Sequence, residues 1–228
     1  AFAERFGIIN VNRFFAAHSD HPQIALVIKE PDQEGNIGGA WHTDHSYDVE
    51  PALGSILVAR ELPASGGDTK FASMAAAWES LDDATKEEIA DLDAIHSSHH
   101  VFGSTAYTRG AGDDYEGRFG ATDVADSMDD VIHPVVIVHP LSGKPTLYVN
   151  PGFTIGVVGM DEEKGRALLQ RLFAHAAQPQ HVTRFEWKSG SIAFWDNRAM
   201  WHNAMNDYPG QRRAMHRITI DGCPLERA

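Results

Sequence analysis

The chain has 228 residues, of which 43% are hydrophobic, and its 32 acidic residues outnumber its 19 basic ones to give a net charge of −13. This length is enough for one domain with a sizeable core, and the acidic surface excludes nucleic acid as an expected partner. No apolar run approaches the roughly 20 residues that span a bilayer, so no membrane partner is expected. The single cysteine is consistent with a reducing compartment, and we predict a cytoplasmic location.

The N-terminal part of the chain predicts short strands separated by turns. Residues 1–7 have the pattern of a last helical turn that ends at a glycine, and we therefore expect a further N-terminal segment before them. Residues 24–28 and 55–59 are apolar runs typical of buried strands. A Gly-Gly pair then predicts a turn into a strand that begins near Thr69.

Helices are predicted between the strands. Ser73 is a candidate cap for a first helix, and Asp82 or Asp83 for a second. Residues 162–177 have the pattern of an amphipathic helix. Its predicted apolar side consists of Ala167, Leu168, Leu172 and Phe173. Residues 103–128 are polar, glycine-rich and acidic, and we interpret this long excursion as a mobile cover over a binding site.

The C-terminal part returns to strands. They are predicted at residues 135–140, 146–149, 182–187, 191–195 and 213–220. Short strands with turn signals and helical insertions predict a mainly β fold, a double sheet of the jelly-roll kind. Neither a repeat nor a linker divides the chain, so we expect one domain over residues 1–228.

The stretch around His42 and Asp44 has the composition of a strand. Side chains two residues apart on a strand point to the same side, so this imidazole and this carboxylate can share a metal ion. His202 is the best candidate for a third ligand. Two histidines and one carboxylate that leave coordination positions open are typical of non-haem Fe(II) oxygenases.

Several stretches together carry a family resemblance. They are Trp41-His42-Thr43-Asp44, Leu62-Pro63 with Gly66-Gly67-Asp68-Thr69, His133-Pro134-Val135-Val136, Trp195-Asp196-Asn197-Arg198 with His202, and Gln211-Arg212-Arg213 with His216-Arg217. In this order and over nearly the whole chain, they resemble the taurine and phenoxyacetate dioxygenases. The resemblance implies a double-stranded β-helix, an Fe(II) ion on His42, Asp44 and His202, and α-ketoglutarate held by Thr69 and Arg213. A guanidinium suits the last role, because its planar fork matches a carboxylate.

The resemblance also implies the reaction. Fe(II), O₂ and the cosubstrate α-ketoglutarate would hydroxylate a substrate C–H bond, with release of succinate and CO₂. The expected partners are a small organic anion and further copies of the chain in a homo-oligomer.

The predicted substrate differs from taurine. Arg217 lies four residues after Arg213, so both side chains should face one side of a strand, about 13 Å apart. The matching arginine binds the sulfonate in taurine dioxygenases, whereas Asn12 and Phe15 stand where those enzymes have a histidine and a tyrosine, and Gly38 where they have an asparagine. Apolar surface is expected from Phe14, Phe15, Tyr47, Val101 and Phe102. We therefore predict an aryloxyalkanoate, alkyl sulfate ester or sulfonate as substrate, with Arg217, Asn12, Phe15, Tyr47, Val101 and Phe102 around it.

Other classes use part of the same pattern. A cupin-like protein that binds Zn²⁺ or Mn²⁺ as a lyase, isomerase or sensor would also use two histidines and an acid. It would not explain Thr69 and Arg213 at this spacing. A nucleic-acid demethylase shares the iron chemistry, but the charge of −13 disfavours it. In a purely structural sandwich, a buried Asp44 would need a partner.

Overall fold

The computed structural model describes residues 1–106 and 122–228. Residues 107–121, the middle of the predicted cover, lie outside the described residues. The described helices are α1 (Met74–Glu79), α2 (Asp83–Ile89), α3 (His99–Phe102), α4 (Thr122–Asp126) and α5 (Glu162–Ala176). The strands are β1 (Ile9–Asn10), β2 (Ala17–His18), β3 (His21–Lys29), β4 (Gly54–Glu61), β5 (Thr69–Ser73), β6 (Asp93–His96), β7 (Val131–Pro134), β8 (Val136–Val138), β9 (Pro145–Leu147), β10 (Thr154–Val157), β11 (Val182–Phe185), β12 (Ile192–Asp196), β13 (Met200–Ala204), β14 (Arg213–Ile220) and β15 (Glu226–Arg227).

The strands form one large sheet and three small ones. The large sheet has the order β12-β4-β14-β3-β2, with β1 beside β14. The small sheets have the orders β11-β5-β13, β10-β6-β7 and β15-β8-β9. Val27, Leu57 and Met215 of the large sheet pack in one cluster with Phe71 of β5. This is the predicted double-stranded β-helix, with a core between its sheets.

The helices fit the predicted caps. The Ser73 hydroxyl accepts a hydrogen bond from the Ala76 amide at the start of α1, and the Asp82 carboxylate accepts one from the Thr85 amide at the start of α2. Residues 1–7 contain only a 3₁₀ turn, Ala3–Arg5, in place of the predicted end of an α-helix. Within the described residues, no helix is both long and apolar enough to cross a membrane.

The apolar side of α5 differs from the prediction at one position. Ala167 is exposed, whereas Leu168, Leu169 and Leu172 are buried. At 100° per residue, Leu169 stands on the same side as Leu172, and Ala167 falls on the solvent side. These leucines pack in one cluster with Trp201 of β13 and Val157 of β10, so the helix covers strands that lead to the candidate site.

Leu172 tests this packing because its side chain is fully buried in that cluster. We expect Leu172→Ala to lower the free energy of unfolding by about 2–5 kcal/mol, since it leaves a cavity that the core does not refill. Gln170→Ala, on the exposed side of α5, is the control and should change it by less than about 0.5 kcal/mol. Denaturant unfolding measures both, and equal effects would contradict the described orientation of α5.

Candidate functional site

Three metal-ligating side chains converge as predicted. The Nε2 atom of His42 lies 3.7 Å from Oδ1 of Asp44, and Nε2 of His202 lies 3.8 Å from Oδ2. One ligand atom of each residue lies within 4.8 Å of those of the other two. Among the described residues this is the one such group. The third ligand, inferred from a motif 160 residues away in the chain, therefore lies next to the first two.

The backbone brings the ligands together in a different way from the prediction. His42 and Asp44 do not lie on a regular strand; His42 makes an isolated bridge to His202, and Asp44 begins a turn. The His42 amide donates to the His202 carbonyl at 3.1 Å, and the His202 amide donates back at 2.8 Å. Gly152 packs directly against His42, and only a glycine fits there because a Cβ atom would lie 2.5 Å from the His42 Cβ. The prediction of a strand was wrong because the chain turns directly after Thr43.

Both imidazoles suit a metal ion. The Nδ1 atom of His42 lies 2.8 Å from the Ala40 carbonyl, so it carries the proton and leaves the Nε2 lone pair free to bind a metal. Burial lowers the pKa of the His42 imidazole and holds that of His202 well below its ordinary value. Both rings are therefore neutral, which is the form that coordinates metals. His202 Nδ1 is buried and has no hydrogen-bond partner in the described part of the chain.

Asp44 is a buried carboxylate held in its ionised form. Burial alone raises the pKa of this carboxyl, but the neighbouring Arg217 guanidinium outweighs it and the pKa lies well below its ordinary value. Arg217 Nη1 donates to Oδ1 at 3.0 Å, and the Ser55 hydroxyl donates to Oδ2 at 2.8 Å. The donor set of one carboxylate and two neutral imidazoles fits Fe(II).

The sequence did not single out Ser55, the second hydrogen-bond donor to Asp44. Ser55, at the start of β4, receives a hydrogen bond from the Asn197 amide at 3.2 Å. The Asn197 Oδ1 atom accepts one from the Trp195 indole at 2.8 Å. A lone hydroxyl at the start of an apolar strand was the available signal for Ser55. Its partner Asn197 could be identified only once the fold had brought β12 beside β4.

Thr69 and Arg213 lie together, as predicted for a carboxylate site. Thr69 Oγ1 accepts a hydrogen bond from the Trp187 indole at 3.0 Å, so its own proton is free for another acceptor. Arg213 Nε donates to the Gly67 carbonyl at 3.0 Å, while Nη2 is buried without a partner among the described residues. Burial lowers the pKa of this guanidinium, and no described carboxylate lies within ion-pair distance of it. A buried cation in this state indicates a site for an anion.

One cavity of 420 Å³ connects these groups. The predicted residues that line it are Phe15, His42, Asp44, Tyr47, Thr69, Val101, Phe102, His202, Arg213 and Arg217. Gly38, Gly152, Phe153 and Trp195 also contribute to its wall. Both predicted arginines face this cavity from β14, and most of the remaining wall is apolar.

Two residues that were expected at the wall do not line the cavity in the described structure. Asn12 does not line the cavity: its Oδ1 accepts hydrogen bonds from the Phe14 and Phe15 amides instead. Phe14 is fully buried behind the wall, where its ring stacks on Phe102 at 4.3 Å. Arg217 does line the cavity, but it also bonds Asp44, a contact that strand spacing alone does not predict.

Ser55 offers a test of the metal site that spares the ligands themselves. We expect Ser55→Ala to weaken binding of Fe(II) or Co(II) by about 10–100-fold, the usual loss when a ligand's hydrogen-bond partner is removed. Anaerobic titration of the purified protein measures the affinity. Ser65→Ala, at an exposed position, should bind the metal like wild type. An unchanged affinity in Ser55→Ala would show that this hydroxyl does not orient Asp44 for metal binding.

Known proteins are similar to this chain over most of its length. The family model "Taurine catabolism dioxygenase TauD, TfdA family" matches residues 1–219. The alkylsulfatase of Acinetobacter baylyi is 31% identical over 215 residues, which cover 91% of this chain and 66% of that protein. The (S)-phenoxypropionate/α-ketoglutarate-dioxygenase of Sphingobium herbicidovorans is 31% identical over 235 residues, covering 98% of this chain and 77% of that one.

A solved structure agrees as well. The crystal structure of a taurine dioxygenase from Burkholderia xenovorans has a TM-score of 0.76 and 29% identity, and the match covers 97% of this chain and 71% of that one. The chain spans only 44% of a relative from Schizosaccharomyces pombe and 66% of the alkylsulfatase. The predicted family and fold class are confirmed, and the cupin-like alternative is not supported. The chain belongs to the TauD/TfdA family of dioxygenases.

Proposed function

We propose that the protein is an Fe(II)- and α-ketoglutarate-dependent dioxygenase that hydroxylates a small organic anion with an apolar body. The candidates are aryloxyalkanoates, alkyl sulfate esters and alkanesulfonates. Relatives whose names include an alkylsulfatase, a sulfate ester dioxygenase and a phenoxypropionate dioxygenase support this class of substrate.

The observation that carries the proposal is the arrangement of charge within a single cavity. The metal-ligating group lines it together with two buried guanidiniums, Arg213 and Arg217. The reaction needs places for two organic anions, the cosubstrate and the substrate. A metal-binding sandwich with no dioxygenase chemistry has no use for the unpaired Nη2 atom of Arg213.

The cosubstrate would bind at the Arg213 end. The guanidinium offers a fork to the distal carboxylate of α-ketoglutarate, and the Thr69 hydroxyl can donate a further hydrogen bond. Gly67 keeps this end open, since a Cβ atom there would lie 3.2 Å from the Arg213 Cδ. The Trp187 ring lies under the guanidinium, with its centroid 5.8 Å from the Arg213 Cζ, and limits how far it can move.

The substrate would occupy the apolar part of the cavity. Arg217 has a buried Nε atom with no hydrogen-bond partner among the described residues, which suits an anionic head group. Phe15, Tyr47 and Phe102 supply aromatic surface for the body of the substrate. Gly38 contributes no side chain to this wall, so little here matches the amino group of taurine.

Each group then has a part in the reaction. Bound Fe(II) supplies the redox chemistry by which O₂ and α-ketoglutarate give succinate, CO₂ and a hydroxylated substrate, one oxygen atom going to succinate and the other to the substrate. The metal would be held by His42, Asp44 and His202. Arg213 and Thr69 would orient the bound α-ketoglutarate. Val101, Phe102 and Phe153 keep water away from the reacting carbon. Attack next to a heteroatom would give a product that collapses to an aldehyde or ketone.

Three further expectations remain predictions. They are the single-domain organisation, the cytoplasmic location and the homo-oligomeric state.

Arg213 tests the cosubstrate site. We expect Arg213→Lys to weaken α-ketoglutarate binding and Arg213→Met to weaken it further, by about 2–5 kcal/mol, the usual cost of truncating one partner of a buried charge pair. The lysine does not fully rescue binding because an ammonium lacks the planar fork. Anaerobic titration of the charge-transfer absorption of the Fe(II)–α-ketoglutarate complex measures the affinity.

The neighbouring arginine is a matched control. Arg212 pairs with Glu30 and Glu61 away from the cavity, so Arg212→Lys should bind α-ketoglutarate like wild type. Equal affinities in the Arg213 and Arg212 variants would refute the assignment of the cosubstrate site.

Substrate choice tests the other end of the cavity. We expect kcat/KM for an alkyl sulfate ester, alkanesulfonate or aryloxyalkanoate to exceed that for taurine by more than about tenfold, because the described wall is mostly apolar and favours an apolar body over an ammonium group. Succinate formation that depends on both Fe(II) and the added anion is the readout.

Arg217→Lys provides the second arm of this experiment, since it keeps a positive charge near Asp44 but loses the two-pronged geometry. It should raise KM for the preferred anion more than it changes the affinity for α-ketoglutarate. The proposal would be contradicted by efficient turnover of taurine. It would also be contradicted if Arg217→Lys left KM for the preferred anion unchanged.

A further inference from the structure

His45, the residue after the metal ligand Asp44, has an unusual backbone conformation. Its φ is +60°, the one positive φ at a non-glycine position in the described part of the chain. This left-handed conformation is unfavourable for a side chain with a Cβ atom and persists only where surrounding contacts hold it. His45 is also 2% exposed, so its imidazole is committed to contacts inside the protein.

The His45 ring connects two segments that are 33 residues apart. Its Nδ1 atom lies 2.8 Å from Oδ2 of Asp48, and its Nε2 atom lies 3.3 Å from Nδ2 of Asn12. The other Asp48 oxygen accepts from Arg13, and the Asp48 carbonyl accepts from His133 at 3.0 Å. The metal-binding turn is therefore bonded to the N-terminal segment 12–15 in two ways, through the His45 ring to Asn12 and through the ion pair between Asp48 and Arg13.

The donor and acceptor of each hydrogen bond along this connection are fixed by the Asp48 carboxylate. Asp48 is an acceptor, so His45 Nδ1 carries the proton and Nε2 is left as an acceptor. The Asn12 amide nitrogen donates to it, which turns Oδ1 of Asn12 towards the backbone. That oxygen accepts from the amides of Phe14 and Phe15 at 2.9 and 3.0 Å. Every polar atom from Asp48 to the Phe15 amide thus has a consistent role.

The connection ends at the cavity wall. The Phe15 ring lines the cavity, and the Arg217 Cζ lies 4.4 Å from its centroid. Phe14 stacks on Phe102, another wall residue. A shift of segment 12–15 would therefore move the aromatic platform under Arg217 together with part of the apolar wall.

We propose that His45 is a positioning residue for the organic substrate: through Asn12 it fixes Phe15 beneath Arg217 and so sets the affinity for the anion. This inference rests on the proposed function. It assigns Asn12 an indirect role in place of the direct substrate contact that its sequence position suggested. The proposed α-ketoglutarate site contains no member of this connection. There the Trp187 indole bonds Thr69 and its ring lies under the Arg213 guanidinium, which bonds the Gly67 carbonyl.

The kinetic test separates the two binding steps. Asn12→Ala removes both hydrogen bonds to the phenylalanine amides, and His45→Asn keeps a residue type that tolerates positive φ but shortens the reach between Asp48 and Asn12. Each is expected to raise KM for the preferred anion by about tenfold and to change the dissociation constant of α-ketoglutarate by less than about twofold. Asn10→Ala is the control, since Asn10 bonds the exposed Asp221 at 2.8 Å. The two substitutions combined should cost little more than either alone, because they break one connection.

A second readout does not depend on turnover. Amide hydrogen exchange of Phe14 and Phe15 should accelerate by at least about tenfold in both variants, while β4 and β14 keep wild-type protection. If exchange accelerates but none of the candidate anions is turned over, the connection through His45 is supported and only the proposed function is contradicted. Unchanged exchange, or a loss of α-ketoglutarate affinity as large as the loss of anion affinity, would overturn the inference.

Discussion

The buried carboxylate of Asp44 is the constraint on which the site depends. An ionised acid out of water is stable only with a compensating charge and with hydrogen bonds to its oxygens. Arg217 supplies the charge, Ser55 donates the second hydrogen bond, and the two imidazoles face the carboxylate at 3.7 and 3.8 Å. These groups come from different segments of the chain. The carboxylate can therefore be buried at low energetic cost only if the fold brings those segments together.

The β-helix provides that meeting point. Strand β14 carries Arg213 and Arg217 into the cavity, and its neighbour β4 carries Ser55. Strand β13 carries His202, and it pairs with β5, which begins at Thr69. Rigid, paired strands therefore hold most of the charged groups, while the turn that follows His42 supplies Asp44 and the connection through His45. A site held mainly by strands is more precise than one held by loops.

The sequence predicted the parts that depend on local pattern and on recurring motifs. The β3, β4 and β14 strands, the caps of α1 and α2, the metal-ligating group and the facing arginines could all be predicted. The turn at Asp44 could not, because the strand-like composition of residues 39–47 conceals the left-handed conformation of His45. Two contacts also could not be predicted from spacing, because they join residues distant in the chain. Arg217 bonds Asp44, and Asn12 bonds the His45 ring.

The central claim is that Asp44 and the two histidines form one Fe(II) site, and its most direct test is anaerobic equilibrium binding of Fe(II) to the purified protein. The account predicts one Fe(II) per chain for the wild type and loss of that binding in Asp44→Ala, with the overall fold preserved by circular dichroism. Wild-type affinity for Fe(II) in a folded Asp44→Ala variant would contradict it.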